Sequence, residues 1–153
     1  LLSAYEFLYN EGYDWVARTT TFSIVLPRNL LNILNRLHTD EPRVGGRIVN
    51  QLDGTSFISG SFSVFNQSAL RLILNSKSKI NFGLIDDVAF SRLVFNLGIP
   101  IFPISSVDIG REYDLLSLLS LKESQISHIR CRSNPKTDDD IGLFTKVLDE
   151  VLL

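Results

Sequence analysis

The chain has 153 residues and a mass of 17.2 kDa, 44% of it hydrophobic and 21% charged, enough to bury roughly two-thirds of its unfolded surface around one core. The formal net charge is -2 and the pI about 5.6, with lysines and arginines scattered along the chain, so no basic field gathers a polyanion and nucleic acid is not an expected partner. A single cysteine, Cys131, excludes an internal disulfide, and no Cys/His set has the spacing of a zinc site, which fits a reducing, cytoplasmic setting.

No apolar run is long enough to span a bilayer, and the N-terminus lacks the basic region of a signal peptide. Methionine is absent, even at position 1, and the chain opens inside an apolar helical pattern, so it reads as a piece of something longer. Residues 1–10 place Leu1, Ala4, Tyr5 and Leu8 on one helical face, with Gly12 as the stop. Tyr13 to Ile24, rich in aromatic and β-branched residues, predicts a largely buried strand running into a loop. Pro27 opens a helix through about Leu37, with Leu30, Leu31, Leu34 and Leu37 as its apolar stripe.

Val44 to Asn50 reads as a strand with a bulge or close backbone approach at Gly45-Gly46, Asp53-Gly54 as a turn, and Phe57 to Phe65 as a second strand with one small-residue face. Asn66 can cap the next helix, which buries Leu70, Ile73 and Leu74. Another helix runs from Asp86 or Asp87 to Leu97, ended by Gly98, and Pro100 and Pro103 stiffen an extended segment after it. Ile126 to Cys131 alternates as a strand, Thr137 with Asp140 resembles a capping box, and Leu143, Val147 and Val151 line a closing helix. Strands and helices alternate throughout without an internal break, which predicts a single α/β domain over residues 1–153, a mixed sheet flanked by helices.

Several residues could carry chemistry. Asp86 and Asp87 open a helix, where acids oppose the positive end of the helix dipole. Equally, two adjacent carboxylates at a strand-to-helix junction can raise each other's proton affinity and supply a general base. Ser59-Gly60-Ser61 marks either a tight packing spot or a close backbone approach to a ligand. His128 is either an ordinary hydrogen-bonded residue or a metal or phosphate ligand, and with Arg130 and Arg132, two residues apart, it makes either a diphosphate contact or a solvated edge-strand face. Asp138-Asp139-Asp140 falls in a first helical turn, where acids are ordinary, and is not read as a metal site. P-loop, Rossmann and nucleophile-elbow signatures are absent.

Three segments, in order, resemble the Fringe and β-1,3-galactosyltransferase type of GT-A glycosyltransferase and its bacterial and viral relatives. Tyr13-Asp14-Trp15-Val16-Ala17-Arg18-Thr19 resembles the strand that leads into the family's Asp-x-Asp, followed by a helix near Pro27 and Asn29. Phe57 to Val64 is similar to the Ser-Gly segment beneath the sugars, and Leu84-Ile85-Asp86-Asp87-Val88, with Leu97-Gly98-Ile99 at the far end of its helix, is similar to the acid-Asp-Val motif. The three span about residues 5 to 100.

The resemblance implies a partial GT-A fold whose nucleotide-binding part precedes Leu1, and inverting transfer of a sugar from a nucleotide-sugar donor to a carbohydrate acceptor. It implies Asp87 as general base with Asp86 orienting it, Ser59 and Gly60 lining the sugar pocket, and Arg18, His128 and Arg130 toward the leaving diphosphate, His128 matching the late histidine that some members use at the metal. Where this chain departs from the family, the hydroxyls of Thr20, Thr21 and Ser23, with arginines, are expected to bind phosphate directly. A divalent cation such as Mn2+ is usual in the family, but Thr19-Thr20-Thr21-Phe22-Ser23 stands where its Asp-x-Asp ligands belong. The departure leaves open a non-catalytic relative that binds a glycan or a protein on the same scaffold. An unrelated α/β domain whose acids merely start helices is the third alternative.

Overall fold

The computed structural model describes residues 2–37, 40–109, 126–131 and 140–152. In chain order its elements are α1 (Leu2–Asn10), β1 (Trp15–Thr19), β2 (Ser23–Val25), α2 (Pro27–Leu34), β3 (Val44–Asn50), β4 (Ser56–Asn66), α3 (Gln67–Asn75), α4 (Asp86–Asn96), β5 (Ile101–Pro103), β6 (Ser106–Ile109), β7 (His128–Cys131) and α5 (Asp140–Leu152), with a short 3-10 turn at Lys77–Lys79. Helices and two mixed sheets make this an α/β protein, as the alternating pattern predicts. The elements gather into two compact units, Leu1–Thr19 with Leu37–Pro103, and Thr20–Arg36 with Ile104–Leu153.

The first unit holds a sheet of order β1-β4-β3-β5, antiparallel except for the β3/β5 pair. Val16, Phe65, Val44 and Ile101 share one register row across it. The first three are buried in a core with Tyr5 of α1, Leu70 and Ile73 of α3, and Phe90, Leu93 and Val94 of α4. Tyr5, Phe65 and Phe90 form an aromatic cluster with ring centroids 5.3 to 6.0 Å apart, the tilted and edge-on geometry that aromatic quadrupoles favour. Since side chains alternate along a strand, Arg18 shares the helix-covered face with Val16.

Both glycines of β3 are close-approach positions. A Cβ on Gly45 would overlap the Phe102 ring, and one on Gly46 would crowd Ile58. The bulge belongs to the partner strand. Between the pairs Gly46↔Ser63 and Ile48↔Ile58 the register slips, so residues 59–62 of β4 stand against Arg47 alone. Ser59-Gly60-Ser61 is therefore the bulge itself, and its two hydroxyls satisfy each other at 2.8 Å.

Element ends follow local chemistry. The Asn66 side chain caps α3 through a 2.9 Å bond from the Ala69 N–H, and α4 stops at Gly98, whose φ of 64° suits a residue without a Cβ. The expected strand over 13–24 splits in two. Thr19 pairs with Phe62 at the end of the β1/β4 ladder, whereas Ser23 takes up register with Arg130, and the turn between them joins different units. The helix expected through Leu37 ends at Leu34, and only Leu30 and Leu34 of its stripe are buried, Leu31 being exposed.

The second unit is built on the sheet β2-β7-β6, with β7 central, antiparallel to β2 and parallel to β6. Its core comprises Ile24, Ile109, Ile126, Ile129, Cys131, Leu143 and Val147. Asn29 of α2 donates from Nδ2 to the Ile126 carbonyl at 2.6 Å, fixing that helix to the sheet. The expected capping box at Thr137 and the acids Asp138 and Asp139 lie outside the described residues.

Candidate functional site

Asp87 joins three chain segments. It lies in the first turn of α4, yet its carboxylate reaches across rather than staying with its own helix. Oδ2 accepts the Gly60 N–H at 2.9 Å, and Oδ1 faces the Arg18 guanidinium at 3.5 Å. A side chain at that spot would displace the Asp87 carboxylate, which a Cβ on Gly60 would overlap. The bulge frees the Gly60 N–H from the β3 ladder, and the absent side chain lets a carboxylate approach the backbone. This is the close-packing reading of the Ser-Gly segment, with Asp87 as the group that packs.

Arg18 and Asp87 are each about a quarter exposed, at 23% and 28% of their side-chain surface. A carboxylate has about four lone-pair positions. One contact each from Gly60 and Arg18 leaves acceptor capacity toward solvent, so a ligand hydroxyl can still donate to Asp87. Asp86 is exposed and makes no hydrogen bond or ion pair among the described residues; of the two acids, only Asp87 is built into the fold. Ser59 and Ser61 are buried at the bulge.

Tyr5 is a member of this group that its sequence did not reveal. Its side chain is 3% exposed and its ring stacks in the core, but its hydroxyl lies near Arg18 and Asp87. Burial pushes the phenol up to about 12, against an opposing pull from the Arg18 cation. The guanidinium is close enough to act on the hydroxyl electrostatically, yet no donor and acceptor geometry closes into a hydrogen bond. Ser91 is the other residue missed. It stands one turn after Asp87, the i, i+4 spacing that puts both on one helix face, and that spacing was readable.

The remaining expected site residues belong to the second unit. Thr20 bonds Ser23 through their hydroxyls at 2.8 Å, and Thr21 is exposed in the turn before β2. His128 is fully buried, its Nδ1 2.7 Å from the Ser106 hydroxyl, and Arg130 is half-buried in register with Ser23 and Asp108. β7 is a central strand, so the solvated edge-strand alternative does not hold for these two, and a histidine at 0% exposure presents no ring surface to a ligand. Arg132 lies outside the described residues.

Among the described residues no group of three His, Cys, Asp or Glu side chains could hold a metal ion. The segment where the resemblance expects an Asp-x-Asp offers neutral hydroxyls, two of them bonded to each other, which do not fit a divalent cation. No described helix is long and apolar enough to cross a membrane. No protein-family model matches the chain, and no curated protein matches it.

Proposed function

We propose that this chain carries the base-bearing, acceptor-side part of an inverting glycosyltransferase. Asp87 takes the proton from an acceptor hydroxyl while that oxygen bonds to the anomeric carbon of a nucleotide-sugar donor, and the bond from that carbon to the diphosphate oxygen breaks. The supporting observation is convergence: Arg18, Gly60 and Asp87 come one from each of the three segments that carry the family resemblance, and they meet at one carboxylate. Capping acids have no reason to do so. Asp87 retains acceptor capacity and partial exposure, the minimum for a base that must touch its substrate. In this reading the reaction is cytoplasmic, and hydroxyls and arginines take the place of the family's metal at the departing diphosphate.

A second reading, glycan or protein binding without turnover, is favoured by one specific observation. The carboxylate is already held by Gly60 and Arg18, and no acid occupies 19–23. Donor turnover separates the two. Incubation of the protein with a panel of nucleotide sugars and glycan acceptors, with and without a chelator, yields released nucleoside diphosphate insensitive to chelator if transfer occurs. Glycan binding with no diphosphate release from any donor supports the second reading.

A further inference from the structure

Ser91 is 1% exposed and bonds in two directions. Its Oγ donates to the main-chain carbonyl of Asp87 at 2.5 Å and accepts the Ile58 N–H of β4 at 2.8 Å. Two residues along the same strand, the Gly60 N–H goes to Oδ2 of Asp87. These two N–H groups stand at the start of the bulge, where β4 loses register with β3. A buried N–H must find an acceptor, and here both acceptors are side chains of α4 one turn apart.

We infer that Ser91 is the positioning residue for Asp87. Its hydroxyl ties the first turn of α4 to β4 and so fixes the point from which the Asp87 carboxylate reaches Gly60 and Arg18. Alanine can neither donate to the Asp87 carbonyl nor accept from Ile58. A threonine hydroxyl can do both, since it also bonds back to a carbonyl one turn earlier in a helix. The geometric claim needs no substrate; only its consequence for proton transfer rests on the glycosyltransferase reading.

Native-state amide hydrogen exchange on the full chain tests the claim. In Ser91→Ala the Ile58 amide, having lost its own acceptor, exchanges roughly tenfold faster. The expected result is that the Gly60 amide also speeds up severalfold although its acceptor Asp87 is unchanged, that Phe65 in the paired part of β4 keeps its rate, and that Ser91→Thr restores Gly60. Because coupling is reciprocal, Asp87→Ala, which leaves the Asp87 main-chain carbonyl in place, speeds exchange at Ile58. Unchanged exchange at Gly60 in Ser91→Ala, or equal acceleration at Gly60 and Phe65, overturns the inference. Should Ser91→Ala not fold, an unchanged Ile58 rate in Asp87→Ala overturns it instead. Absence of transferase activity alters none of these rates, so a failure of the functional reading is distinguishable from a failure here.

Discussion

Gly60 and Tyr5 define the environment of Asp87, and each has a measurable consequence. Adding a Cβ at Gly60 forces the carboxylate aside and breaks its bond to the backbone. Gly60→Ala is expected to destabilise the fold by about 1–3 kcal/mol in urea melts. If the collision is with Asp87, the same substitution in an Asp87→Ala background costs less than about 0.5 kcal/mol, and equal costs in both backgrounds would refute it. For Tyr5, the phenol titrates at about 12 in the fold and near 10 when unfolded. The unfolded chain therefore loses this proton first. Stability is intact below pH 10 and falls as pH rises from 10 to 12, by a contribution on the order of 2–3 kcal/mol. Denaturant melts across that window should show the fall in the parent chain and a shallower one in Tyr5→Phe. The acid pair and the glycine were legible in the sequence, since each has a local signature. Tyr5 was not, because its proximity to Arg18 and Asp87 depends on how α1 packs on the sheet.

At the scale of elements, boundaries with their own chemistry were the readable ones. Asn66 announces a cap, Gly98 a helix end and Asp53-Gly54 a turn, and each is found as expected, with the Asp53 carboxylate accepting the Thr55 N–H at 2.9 Å. Asn66 does more than a cap requires. Its Oδ1 accepts N–H groups of both Ala69 and Arg43 at 2.9 Å, and its Nδ2 donates to the Glu41 carbonyl at 2.6 Å, all from a fully buried side chain. Asn66→Ala should therefore cost about 2–4 kcal/mol, above the roughly 1 kcal/mol of an ordinary cap. A thermal or urea melt showing a loss near 1 kcal/mol would mean the Arg43 and Glu41 bonds contribute nothing. Features set by distant pairing were hidden. The single strand expected over 13–24 is two, because the β1/β4 ladder ends at Thr19 and Ser23 pairs with a strand more than a hundred residues on. Of the two expectations at Gly45-Gly46, the close backbone approach is found, and the register slips just after Gly46 with the extra residues in β4, since register is a property of two strands together.

For the whole molecule, alternation of strands and helices was enough to give the α/β class. The same alternation predicts one domain with one mixed sheet, whereas the described residues form two sheets and gather into two compact units, each with its own core, a grouping that follows from contacts between segments far apart in the chain. The candidate site divides in the same way. Arg18, Gly60 and Asp87 meet in the first unit, whereas Thr20, Thr21, His128 and Arg130 are residues of the second. Of these seven, only the first three meet at one side chain across three chain segments; His128 has a separate partner in Ser106, its neighbour in the β6/β7 register. The proposed role of Asp87 is to remove the acceptor proton, and one substitution isolates it. Asp87→Asn keeps an oxygen to accept the Gly60 N–H while removing the negative charge and the basic site. With a donor and acceptor that the parent protein turns over, Asp87→Asn is expected to transfer about 10²–10⁴-fold more slowly while thermal melting stays within a few degrees of the parent. A rate for Asp87→Asn equal to that of the parent would contradict it.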